Sequence, residues 1–285
     1  MATTLRAAVW MTGAIASFTA MAIAGRAVSG SFDTFEIMFY RSLTGILIVG
    51  AVAFSTGRWR EIAARNLGLH FSRNLAHFAG QNLWFFAITV IPLAQVFALE
   101  FTTPIWVILL SPIFLAEPIR KAGVIAAIMG FAGILIVARP TPGSLDIGFL
   151  TAALSAICFA LTAVFTRRLT RTETITCILF YLTTMQAAFG LAFAGYDGDI
   201  ALPDLSTAPW LILIGCAGLL AHFCLTNALR IAPASIVMPI DFARLPVIAV
   251  VGALFYNEPL DALVFLGAAL IFAGNWINIT RSAKA

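Results

Sequence analysis

Charge is scarce in this chain. Asp, Glu, Lys and Arg make up 11% of its 285 residues against 61% hydrophobic ones, and the mean hydropathy is +0.98. A soluble globule of this size needs far more polar surface than that, so the composition excludes one and indicates a membrane protein. Other absences narrow the function. The four cysteines, Cys158, Cys177, Cys216 and Cys224, stand in apolar stretches with neither CxxC nor Cys/His spacing, which reads as plain core or lipid-facing residues and no metal site. No GxxxxGK(S/T) phosphate loop occurs, which argues against ATP-driven pumping by this chain, and no cofactor is expected. A membrane-embedded lipid enzyme would need paired carboxylates or a nucleophile at the surface. The one acidic cluster, Asp197, Asp199 and Asp204, has no basic or His partner beside it, so this class is the weaker alternative.

What the chain does have is apolar stretches of about 20 residues, the length of a helix across a bilayer core of roughly 30 Å. Ten spans are predicted: 5–28, 34–55, 68–91, 93–115, 119–138, 147–167, 174–195, 209–229, 234–255 and 260–280. The first is read as a helix and not as a cleaved signal, because its loss would leave nine. The net charge of +4 is no nucleic-acid footprint, since the basic residues sort by membrane side. With the N-terminus inside, Arg6, Arg58, Arg60, Arg65, Arg73, Arg120, Lys121, Arg167, Arg168, Arg171, Arg230, Arg281 and Lys284 collect at the inner face, and only Arg26 and Arg139 fall outside. Both termini are therefore expected in the cytoplasm. The expected partners are the lipid bilayer and a small-molecule substrate; the oligomeric state is left open and a monomer suffices in principle.

The chain superimposes on itself at an offset of 141 without a gap. Glu117-Pro118 lands on Glu258-Pro259 (258 − 117 = 141), and the same shift carries Pro92 to Pro233, Phe101 to Phe242, Arg26 to Arg167 and Phe131-Ala132-Gly133 to Phe272-Ala273-Gly274. Five spans per copy is an odd number, so the second copy enters the membrane from the opposite side. The fold class is thus an all-α polytopic membrane protein of ten transmembrane helices in two inverted five-helix repeats, at 5–138 and 146–281, forming one membrane domain. Inverted repeats are a transporter architecture, in which alternating access is worked around a site near the midplane.

Spans 4 and 9 carry interior prolines, Pro104 and Pro112 in one, Pro239 and Pro246 in the other. Each removes a donor and frees a carbonyl. In a membrane such carbonyls must face protein or a wet cavity, so these spans are predicted to line the pathway and bend. Intramembrane charges are few: Arg41, Glu100, Asp241 and Arg244. Glu100 and Asp241 are repeat equivalents, as are Gln81 and His222. Similar depth allows an Arg41–Glu100 ion pair, and Asp241 and Arg244, three apart, can pair with each other. Two readings stay open here, structural or gating locks on one side and carboxylates or arginines that meet substrate on the other. His77, Gln81, Asn82 and His222 add neutral polar groups near mid-depth. Phe78, Trp84, Phe101 and Phe242 are candidates for an apolar lining. With no lysine deeper in a span than Lys121 at the inner-face end of the fifth, a zwitterionic or neutral solute fits better than a phosphorylated one. The Glu117-Pro118 and Glu258-Pro259 pairs read as helix-start devices ahead of small-residue helices.

Two five-helix repeats, each with a Glu-Pro start and a helix carrying Phe-Ala-Gly, resemble the EamA branch of the drug/metabolite transporter superfamily. The resemblance covers essentially the whole chain. It implies a bacterial inner-membrane exporter, with a cavity lined mainly by spans 1, 3, 4, 6, 8 and 9, and it is similar in size to exporters of aromatic and other amino acids. The expectation is a secondary exporter of amino acids or similar small amphipathic metabolites, with drugs or other metabolites as the alternative cargo.

Overall fold

The computed structural model describes residues 2–119, 121–138, 146–196, 198–257 and 262–282, and every regular element among them is helical. The first repeat contributes α1 (Ala2–Val28), α2 (Thr34–Ser55), α3 (Leu67–Val90), α4 (Leu93–Glu100), α5 (Thr103–Leu115) and α6 (Lys121–Ala138). The second contributes α7 (Ile147–Leu169), α8 (Ile175–Ala194), α9 (Ala208–Ile231), α10 (Ala234–Ile240), α11 (Arg244–Tyr256) and α12 (Ala262–Ser282). Among the described residues, six stretches are long and apolar enough to cross a membrane: Thr3–Val28, Thr34–Ser55, Gln95–Leu115, Ile147–Leu169, Ile175–Ala194 and Ala208–Ile231. Lys121–Ile136, Pro246–Tyr256 and Phe265–Gly274 are shorter apolar runs.

Helix ends follow the local sequence. Asp33 accepts from the Glu36 amide while Glu36 reaches back to the Asp33 amide, a capping box that starts α2. Asp146 and Thr174 cap α7 and α8 in the same way with one side-chain bond each. At the other ends, α5 and α11 close on Ala116 and Asn257, whose φ values of 54° and 52° lie in the left-handed region, and which are again 141 apart. The Glu117-Pro118 pair differs from its reading as a helix start. Residues 117–119 are not helical, α6 is described from Lys121 onward, and Glu117 spends its carboxylate on Arg167, at 3.0 Å, and Arg171, at 3.7 Å. Glu258 and Pro259 lie outside the described residues.

The repeats interleave. The broadest helix pairings all cross from one copy to the other: α1 on α9, α3 on α7, α2 on α8 and α6 on α12. A shift of 141 exchanges the first two of these and maps each of the last two onto itself, as a pseudo-two-fold relation requires. The helices approach closely where glycine allows it. A Cβ on Gly190 of α8 would stand 2.9 Å from the backbone of Phe39 on α2. Apolar side chains face outward, among them Leu47, Phe54, Ile113 and Leu254, each more than 70% exposed, as suits lipid. Polar ones face inward, and on α3 they form one stripe at helical spacing: His70, Arg73, Asn74, His77, Gln81 and Trp84, all buried.

Candidate functional site

The two half-helix pairs break at corresponding points. The break between α4 and α5 falls at Phe101–Thr102, beside Pro104; the break between α10 and α11 is a 3-10 turn over Asp241–Ala243, just ahead of Pro246. Proline near a helix start removes a donor that has no partner there anyway, and the Thr103 hydroxyl donates to the Glu100 carbonyl at 2.5 Å in place of the missing amide. By contrast, α5 runs through Pro112 unbroken and Pro239 lies within α10. Glu100 and Asp241 each stand three residues before a new helix start, next to its positive dipole end.

Those two carboxylates meet at one guanidinium. Arg244 Nη2 donates to Glu100 Oε1 at 2.5 Å and to Asp241 Oδ2 at 2.6 Å. The second Glu100 oxygen accepts from Trp84 Nε1 at 2.7 Å. Around the guanidinium stand the rings of Phe97, Phe18 and Phe101, with centroids 4.8, 5.0 and 5.3 Å away. Asp241 Oδ1 and Arg244 Nε are buried with no hydrogen-bond partner among the described residues, so the cluster keeps one acceptor and one donor in reserve.

On the opposite wall His77 Nε2 lies 2.8 Å from His222 Nε2, which requires one ring to donate and the other to accept. Both Nδ1 atoms are buried and unpartnered. Between the walls is a void of about 60 Å3. It is lined by Met11, Phe18 and Met21 of α1; His77, Gln81 and Trp84 of α3; Glu100, Phe101, Thr103 and Pro104 at the α4–α5 break; Phe159 and Thr162 of α7; His222 and Leu225 of α9; and Met238, Asp241 and Arg244 around the second break. These are the helices of spans 1, 3, 4, 6, 8 and 9.

Several residues expected at the site stand elsewhere. Arg41 does not reach Glu100: it bonds Gln81 Oε1, behind the wall, and Met38 Sδ at 3.4 Å. Phe78 packs against Phe35, Phe189 and Phe193 in an aromatic cluster between α2 and α8. Asn82 donates to the Phe78 carbonyl on its own helix. The side chains of Pro239 and Phe242 lie outside those described. Sequence reasoning missed Met11 and Met21, which carry no polar or periodic signal of their own, and Thr103, whose hydroxyl is one of many in the spans. It also read Arg73 as a surface charge, whereas Arg73 is 1% exposed and bonds Asn74 at 2.7 Å and Thr166 at 3.1 Å; the stripe on α3 is the signal that finds it.

Above and below the void the repeat-equivalent arginines hold helix ends. Arg26 donates to the carbonyls of Ile88 and Ile91 at the end of α3, and Arg167 to those of Leu229 and Arg230 at the end of α9. Cations at helix C-termini are favourable, and on the second side Glu117 joins the contact.

A family model for the EamA-like transporter family matches twice, over residues 5–139 and 146–280. This chain belongs to the EamA-like transporter family. It is a multi-pass membrane transporter of the drug/metabolite transporter superfamily, not an enzyme. Among relatives of this EamA-like transporter, a riboflavin transporter of Brucella anthropi is 34% identical over 220 residues, 76% of this chain and 78% of the relative. An S-adenosylmethionine uptake transporter of Rickettsia bellii is 24% identical over 277 residues, 97% and 94% of the two chains. One crystal structure matches with a TM-score of 0.79 over 98% of both chains at 17% identity, which shows the fold. The named relatives carry riboflavin or S-adenosylmethionine, and none of these names supports amino-acid export.

Proposed function

We propose that this EamA-like transporter moves a planar, nitrogen-rich heteroaromatic metabolite, of the flavin or adenosyl kind, across the bacterial inner membrane by alternating access. The observation that carries the reading is the aromatic cage of Phe18, Phe97 and Phe101 around Arg244, set where both broken helices meet. Rings that hold a guanidinium from several sides can hold a heterocycle by the same stacking and cation–π attraction. The two carboxylates then supply acceptors for ring N–H groups or for a cationic centre. The names of the relatives supply the compound class.

The centre is collapsed: pockets for ligands of this size measure about 300–1,000 Å3, against a void of about 60 Å3. Cargo enters only when helices part. Because each repeat packs mainly on the other, the moving bodies mix helices of both copies, and the breaks in α4–α5 and α10–α11 are the natural hinges. The positive-inside distribution favours cytoplasmic termini, and a relative named for uptake favours import over export. Purified protein in proteoliposomes, offered labelled riboflavin, S-adenosylmethionine and aromatic amino acids, tests this. Protein-dependent flux of either heteroaromatic compound is expected. Flux of amino acids alone would sink the proposal and restore the second reading, an amino-acid exporter, which the mixed-charge centre of Glu100, Asp241 and Arg244 would also suit.

A further inference from the structure

Seven residues before His77 on α3, about 10 Å along the helix axis at ~1.5 Å per residue, a second cluster of chemistry-bearing groups is buried at one end of the bundle. His70 and Cys177 are fully buried and Glu173 is 8% exposed. One donor atom from each lies within 4.8 Å of the other two, with Cys177 Sγ 4.0 Å from His70 Nε2. We propose that His70, Glu173 and Cys177 form a site for a zinc-type divalent transition metal, which clamps α3 of the first repeat to the start of α8 in the second.

The donor set selects the metal class. Imidazole nitrogen and thiolate sulfur suit zinc-type ions and not calcium or magnesium, which take oxygen. A tetrahedral ion about 2.3 Å from sulfur and 2.0 Å from nitrogen puts those atoms roughly 3.5 Å apart, so closing from 4.0 Å takes a few tenths of an ångström. Thiolate and carboxylate together offset the charge of a dication, leaving a loaded site that is formally neutral, as burial demands. The surroundings hold the ligands in place. Asn66 Nδ2 donates to Glu173 Oε1 at 2.6 Å, and the Tyr181 ring packs 4.4 Å from the His70 ring. Glu173 also borders an open groove with Arg58, Glu61 and Arg230, which gives an ion a route in.

The cluster is no relic of the duplication. The shift of 141 carries His70 to Leu211, Glu173 to Phe32 and Cys177 to Glu36, a set with one metal-binding group. The clamp therefore acts at one end of the bundle only, and a bound ion holds α3 and α8 together there against any motion that parts them.

Chelator-treated full-length protein in detergent, titrated with Co2+ and then Zn2+, tests the site independently of any cargo. One Co2+ per chain is expected, with a thiolate-to-cobalt absorption in the near ultraviolet that Zn2+ bleaches. Cys177→Ser abolishes that absorption, His70→Ala weakens binding at least tenfold, and Cys216→Ser on α9 leaves both unchanged. Should Cys177→Ser or His70→Ala fail to fold, Glu173→Gln, checked by its melting curve, tests the third ligand by the same tenfold criterion. Absence of saturable binding to the wild type, or survival of the absorption in folded Cys177→Ser, overturns the site. In proteoliposomes Zn2+ slows wild-type flux and spares Cys177→Ser; equal flux with and without Zn2+, in protein shown to bind Co2+, overturns the clamp.

Discussion

Arg244 and Glu100 come from different repeats, yet the Nη2–Oε1 bond of 2.5 Å between them joins the breaks of both discontinuous helices. Asp241 completes the arrangement at 2.6 Å. Three ionisable side chains thus share one buried centre, and each is tolerated only because the others are there.

Removing the guanidinium should therefore cost more than removing one acid. Arg244→Gln leaves two buried carboxylates without a counter-charge and is expected to destabilise the protein by about 3–5 kcal/mol. Adding Glu100→Gln to Arg244→Gln should recover part of the loss. Denaturation of the three proteins in detergent measures it, and a double variant no more stable than Arg244→Gln would contradict the shared-centre reading.

Transport should separate the central acids from the peripheral one. Glu100→Gln and Asp241→Asn are expected to lower flux more than Glu117→Gln at equal membrane expression, because Glu117 contacts Arg167 and Arg171 away from the void. Equal losses in all three would point to a folding role for every one of them.

Close packing of α2 on α8 gives a third test. Gly190→Ala would push a methyl group against the Phe39 backbone, which has no rotamer to yield, and should cost about 1–3 kcal/mol. Gly50→Ala on α2 meets nothing within 4 Å and should be neutral or stabilising. Thermal unfolding of the pair, read side by side, checks the helix register.

Ala116 is the converse case. Its φ of 54° is costly for a residue with a Cβ, so Ala116→Gly should stabilise the end of α5 by about 1 kcal/mol. A lower melting temperature would refute it.

Outside the membrane spans, Asp204 accepts bonds from the Thr207 and Ser206 hydroxyls and from both amides, which hold its carboxyl down at about 2. A depressed folded-state value means that the ionised form stabilises the turn before α9 at pH values above the usual Asp value of 3.8, and that this contribution is lost as pH falls toward about 2. An NMR titration of the Asp204 carboxyl carbon should show the low midpoint, and Thr207→Val should raise it.

Much of the architecture could be read from the chain alone because it rests on local composition and on a count. Apolar runs of membrane length mark helices wherever they stand, and an unbroken offset of 141 marks a duplication. Of the four interior prolines, Pro104 and Pro246 stand beside the breaks, where a missing amide acts within one turn, while Pro112 and Pro239 lie inside continuous helix. Partner choice was of a different kind. Depth along the membrane normal made Arg41 a candidate for Glu100, but depth is one coordinate of three. The crossing of α4 and α11 brings Arg244 to Glu100, and the crossing of α2 and α3 brings Arg41 to Gln81. The same holds for His77 with His222, 145 residues away, and for His70 with Cys177, 107 away. Hydrophobicity is a property of each segment and survives in one dimension. Which buried polar groups satisfy one another depends on how helices from opposite copies interleave, and only the tertiary structure decided that.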